Sequence, residues 1–185
     1  MRNRIEIYSD GINAYAHIKV NASKTGIRIL SLLLIIEIFL FVILFSHIGL
    51  DEIIEMIIPF LIIMVFFVGL PIKYLLWNLY GNEQLIVNTK CISWSYDYGF
   101  FKTNLKTIKF DRLGTGYEKV MENDKGEVGK LILYNYSREN NLPQPIHQTT
   151  VLLNKDEITE FDIQIRNVFE NDFFDKNGFI PFSLN

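Results

Sequence analysis

The chain has 185 residues, of which 49% are hydrophobic, 21% charged and 14% aromatic. That composition excludes intrinsic disorder and collagen-like repeats, and a formal net charge of −3 gives no basis for DNA or RNA as a bulk partner. One cysteine, Cys91, excludes an internal disulfide, and with three scattered histidines it cannot build a zinc cage.

The charge is unevenly spread: residues 1–28 carry a net +3, residues 29–80 a net −3 and residues 81–185 a net −3. Within 1–28, Arg4–Tyr8 and Tyr15–Val20 bracket Asp10-Gly11, a favoured tight-turn dipeptide, and predict a β-hairpin. An isolated hairpin is marginal in water. The two strands are therefore expected to join the sheet of a later β-domain, the alternative being a free amphipathic N-terminus on a membrane surface.

Residues 29–50 hold a single charge, Glu37, and at 1.5 Å per residue a helix of that length is about 33 Å long, the thickness of a hydrocarbon layer. A second apolar stretch covers 56–77, after an acidic external turn at 51–55 (Asp51, Glu52, Glu55). Together they predict a transmembrane hairpin, with Tyr74, Trp77 and Tyr80 as interfacial anchors. Lys19, Lys24 and Arg28 precede the first span and Lys73 ends the second, while the turn has no Lys or Arg. This bias predicts a multi-pass protein with both termini in the cytoplasm. The apolar run is too long for a cleavable signal peptide.

Residues 81–185 alternate short β-rich runs with turns. Leu85–Val87 and Ile92–Tyr96 form a hairpin, followed by strands at Phe100–Lys102, Lys106–Asp111, Tyr117–Met121, Lys130–Tyr136 and Thr149–Leu153. Gly114-Thr115-Gly116 reads as a turn, as do residues 123–126. Residues 140–145, with two prolines, read as a loop. A helix over 155–171 is signalled by Asn154 with Glu157 three residues later, and by Ile158, Phe161, Ile165, Val168 and Phe169 on one face. The expected fold is a membrane α-helical hairpin plus a mainly β domain, a sandwich or small barrel closed by a C-terminal helix.

The run Leu75–Glu83, containing Trp77 and Gly81-Asn82-Glu83, then Leu85–Val87, Ile92, Gly99-Phe100 and Ile108, resembles the bacterial pleckstrin-homology-like (PH-like) two-transmembrane proteins. The resemblance implies a PH-like β-domain at the bacterial inner (cytoplasmic) membrane and assigns no ligand residue. The layout of parts also resembles the antiphage CBASS effectors with two transmembrane helices and a β-barrel. That resemblance implies cyclic-nucleotide binding, oligomerisation and membrane disruption.

The sequence contains no recognisable catalytic constellation: Cys91 has no histidine near it, and His17, His47 and His147 are far apart. No enzyme, cofactor or metal is expected. Glu37 is costly if charged and facing lipid, so it either serves a pore or oligomer or fixes helix packing; Lys73 snorkels away from it. Lys102, Lys106, Lys109 and Arg112 form the densest basic run of the β-domain and are the candidate ligand-binding residues. They suit a phosphate-bearing ligand or anionic headgroups, or form a solvated strand face interrupted by Asp111. Trp94, Tyr96 and Tyr98 read as core before they read as a base-stacking platform. Two functions follow as expectations. One is a membrane-anchored, non-enzymatic module that binds a protein or small ligand through its β-domain. The other is an effector of antiviral defence that binds a cyclic nucleotide, forms a homo-oligomer and damages the bilayer.

Overall fold

The computed structural model describes residues 4–46, 59, 62–123, 126–139, 141–171 and 179–180. The chain divides into a β-unit, assembled from residues 1–19, 82–97 and 101–185, and a helical unit of residues 20–81 with 98–100.

In the β-unit, β1 (Ile5–Ser9), β2 (Asn13–Lys19), β3 (Asn82–Asn88), β4 (Cys91–Asp97) and β5 (Lys106–Lys109) form one antiparallel sheet in chain order. The N-terminal hairpin thus enters the β-domain: β2 pairs with β3 from Asn13↔Asn88 to Lys19↔Asn82. The helical unit is inserted between two neighbouring strands. The second sheet pairs β6 (Leu113–Asn123) and β7 (Gly126–Tyr136) antiparallel, and β8 (Pro143–Gln148) and β9 (Leu153–Asn154) both pair with β7. β10 (Phe179–Ile180) adds parallel to β6.

Alternation explains the core. Ala14, Ala16 and Ile18 of β2, Leu85 and Val87 of β3, Ile92 and Trp94 of β4, and Leu131 and Leu133 of β7 are all buried. Helix α3 (Lys155–Asn171) closes this core with Ile158, Phe161, Ile165, Val168 and Phe169, each buried as its three-and-four spacing requires. Two helices of the helical unit, α1 (Lys24–Ser46) and α2 (Ile62–Tyr80), precede it in the chain. The start of α3 is fixed by Glu157, whose carboxylate accepts the Asn154 backbone N–H at 2.8 Å. Asp162 is buried on the same helix and is satisfied locally: the Thr115 hydroxyl donates to it at 2.5 Å and the Arg166 guanidinium at 3.2 Å.

Several expectations are corrected. Gly114-Thr115-Gly116 is strand, not turn: both glycines lie in β6, where the Tyr136 and Tyr134 rings cross them so closely that a Cβ would collide. Residues 140–145 are not all loop, because β8 begins at Pro143 and takes in Pro145. Among the described residues only β7 pairs with β8, so an amide-less residue on this edge forfeits no second ladder. The strand expected over Thr149–Leu153 shrinks to β9, and Phe100–Lys102 contributes only an isolated bridge, Asp97↔Lys102. The N-terminal turn is wider than a two-residue loop. The last β1–β2 pair is Ser9↔Ala14, and Asp10 accepts from the Ile12 and Asn13 backbone N–H groups at 2.9 and 2.7 Å.

Those two bonds, with others from the Asn13 amide and the Tyr15 hydroxyl, hold the Asp10 carboxyl at about 2, below its ordinary 3.8. A carboxylate whose folded pKa is depressed stabilises the fold above its unfolded value and loses that contribution as pH falls through the folded one. Asp10→Ala is therefore expected to destabilise the hairpin at neutral pH and to match the parent near pH 2. Urea unfolding of both proteins across pH 2–6 checks this.

Among its described residues the helical unit holds α1 (Lys24–Ser46) and α2 (Ile62–Tyr80). The first starts five residues before the predicted residue 29, opened by Ser23, whose hydroxyl accepts the Gly26 N–H at 2.9 Å. The second runs three residues past the predicted residue 77. Its segment Val65–Gly69 is π-helical. The rest of the predicted first span (47–50), the acidic turn at 51–55, and most of 56–61 lie outside the described residues. Both helices are long and apolar enough to cross a membrane. Gly81 ends α2: its N–H bonds to the Trp77 carbonyl at 2.8 Å, and a Cβ there would sit 2.2 Å from that same oxygen. Only glycine fits so close to the helix end while turning the chain into extended backbone.

Candidate functional site

The basic run does not converge. Lys102 donates to the Gln84 side chain at 2.6 Å. Lys106 pairs with Trp94 and Lys109 with Cys91, so strand alternation sends them to opposite faces of β5. Both are exposed, on a strand that is the edge of its sheet. Arg112 is bound to the Asn141 side chain. Charged lysines on an open edge are the usual guard against sheet-to-sheet pairing.

In the helical unit, Glu37 is half-buried in a cleft of about 270 Å³, with Leu40 and Phe41 of its own helix and Ile63 and Phe67 of α2. Among the described residues, every other wall of that cleft is apolar. The expected anchors form an aromatic cluster at the end of α2, joined by residues 98–100. The Trp77 and Tyr98 rings lie 5.1 Å apart, and Tyr80 meets Phe100 edge-on at 5.8 Å. Lys73 places its ammonium 5.4 Å from the centre of the Tyr98 ring, clear of Glu37's cleft. Tyr74 is exposed, and its carbonyl accepts from the Asn78 amide.

Two features escaped the residue-by-residue reading. The first is a buried polar latch between the two sheets. Glu83 is wholly buried, and one carboxylate oxygen lies 3.1 Å from His147 Nε2. The other accepts the backbone N–H groups of Thr150 and Val151 at 2.8 and 3.3 Å. Trp94 covers the histidine, ring centres 4.5 Å apart, and the Thr150 and Tyr96 hydroxyls bond at 3.2 Å. The latch ties β3 to β8 through His147 and to the segment after β8 through Thr150 and Val151. The pairing of residues 64 apart in sequence had no local signal, although Glu83 already stood out in the Gly81-Asn82-Glu83 junction.

The second is an open groove of about 440 Å³ between β1 and α3, lined by Arg4, Ile5, Glu6, Ile7, Glu157 and Glu160. β1 is the other edge of the first sheet. Lys19 donates its N–H to the Arg4 carbonyl at 2.9 Å, which makes 4/19, 6/17 and 8/15 the doubly bonded pairs. By alternation the N–H and C=O groups of Ile5 and Ile7 point outward, along the groove. Lys19 also holds the Glu6 carboxylate at 2.9 Å and keeps its pKa below the ordinary value. Among the described residues, no group of three or more His, Cys, Asp and Glu side chains is placed to hold a metal.

No protein family matches the chain, and no curated protein matches it.

Proposed function

We propose that this chain is a membrane-anchored, non-enzymatic binding module, in which α1 and α2 cross the bilayer and a PH-like β-domain is presented to a partner at the cytoplasmic face of a bacterial inner membrane. The observation that carries this reading is the point of insertion. The two apolar helices leave and re-enter between β2 and β3, strands that pair directly, so the anchor interrupts the chain of the first sheet without interrupting its ladder. Two mainly antiparallel sheets with a C-terminal helix support the PH-like reading that the sequence resemblance implies. The edge strand β1, which carries no such lysine guard, supplies a surface on which such a domain takes a partner.

The test uses the full-length protein. It is expected to stay in the membrane pellet through alkaline carbonate extraction. Reconstituted in vesicles, it should show no thermal shift with cyclic di- or trinucleotides and no dye leakage when they are added. A ligand at a hundred times its dissociation constant stabilises a fold by about 2.7 kcal/mol, a readable shift. A dose-dependent shift with leakage would replace the module by the effector reading, with Glu37 as the first residue to change to leucine. Release by carbonate would remove the anchor from both.

A further inference from the structure

The groove between β1 and α3 has three properties that together specify an occupant. Its floor is a strand edge with no partner among the described residues, and the backbone donors and acceptors of Ile5 and Ile7 face outward. Such an edge bonds an added extended segment regardless of sequence. Its helical wall carries Glu157 and Glu160, three apart and so neighbours on one helix face, about 5–6 Å from each other. Alternate side chains of a strand are spaced at about 6.7 Å, so one added strand can set two of its side chains against the pair. The third property is that the wall's charge is not already spent. Glu160 is exposed and, among the described residues, has no ion-pair or hydrogen-bond partner, whereas Glu6 is held by Lys19 and Glu157 caps α3. Arg4 lines the groove too, with its Nε buried and without a partner, and forms no ion pair with either helix glutamate.

Resting on the binding-module reading, we propose that this groove takes an extended segment of a partner protein as an added strand on β1, with basic residues at alternate positions facing Glu157 and Glu160. A second copy of this chain fits less well. Pairing two β1 edges would bring each groove's glutamates toward the other's, with only Arg4 to offset them.

The probe is a fluorescein-labelled heptapeptide alternating lysine and valine, measured by polarisation against the full-length protein in nanodiscs of zwitterionic lipid. Binding is expected to be at least about tenfold tighter than that of the glutamate–valine heptapeptide. Glu160→Lys, which disturbs no bond in the fold, should cost about tenfold for the lysine peptide. A lysine peptide N-methylated at alternate backbone amides keeps every charge but cannot form the ladder; it should lose binding altogether. Equal binding of the methylated peptide, no preference for lysine, or no binding by folded protein would each overturn the proposal. So would a dimer of the chain that forms through β1. A partner cross-linked elsewhere on the β-unit, and indifferent to Glu160→Lys, would remove the groove and leave the module reading standing.

Discussion

Replacing residues 21–80 by Asn-Gly is expected to convert the chain into a soluble, folded β-domain that no longer pellets with membranes. The geometry for this is already in place. Val20 donates its N–H to the Gly81 carbonyl at 2.9 Å, one step beyond the Lys19↔Asn82 pair, so the chain leaves and returns at adjacent points of one ladder. A two-residue loop of this composition closes such a pair with the twist the strands need. Tyr98 and Phe100 should be changed to serine at the same time, since they pack against Trp77 and Tyr80 of α2. The expected readouts are recovery in the supernatant without detergent, a single species on sizing, and dispersed amide resonances. An aggregated or unfolded product would show that the β-domain needs its helices to fold.

The second large effect is expected at Glu83. Its carboxylate satisfies two backbone N–H groups and His147 in a fully buried site. Truncation to alanine strands all three, and each buried polar group left unsatisfied costs about 1–3 kcal/mol. Against the 5–15 kcal/mol typical of a domain, that is a large share of the whole stability. Glu83→Gln keeps an acceptor for the backbone and a polar group toward His147, so its cost should fall to about 1 kcal/mol. Trp77 is one of two tryptophans and is removed by the excision, leaving Trp94, which covers His147, as the fluorescent reporter of urea unfolding. A loss under about 1 kcal/mol for Glu83→Ala would mean the two sheets do not depend on the latch.

The sequence was legible wherever a short window carried the signal. Helix α3 runs over the predicted 155–171, because its apolar spacing and the Asn154–Glu157 pair are local. The β3–β4 hairpin was legible for the same reason. Misreadings came where tertiary neighbours override a local preference. Glycines 114 and 116 look like a turn until the rings of Tyr134 and Tyr136 are laid across them. The prolines of β8 look like a loop until the strand is seen to sit at a sheet edge. For the site, the basic run was conspicuous as composition, yet alternation disperses it. The groove at β1 could not be read, since it depends on Arg4 and Glu160 being brought together from opposite ends of the chain. The latch shares that long-range character.

The point of insertion also makes the fold a check on membrane assembly. β2 is synthesised before the helices and β3 after them, and they pair along seven residues. For a chain anchored as proposed, β2 and β3 meet only if the membrane is crossed an even number of times. A chain that threaded one helix and left the other behind would strand the two halves of the first sheet in different compartments. Leu85 and Val87 would then lack their cover from Ala14 and Ala16. Correct insertion thus becomes a precondition of burying the core, and mis-inserted copies would announce themselves to quality-control proteases as unfolded ones.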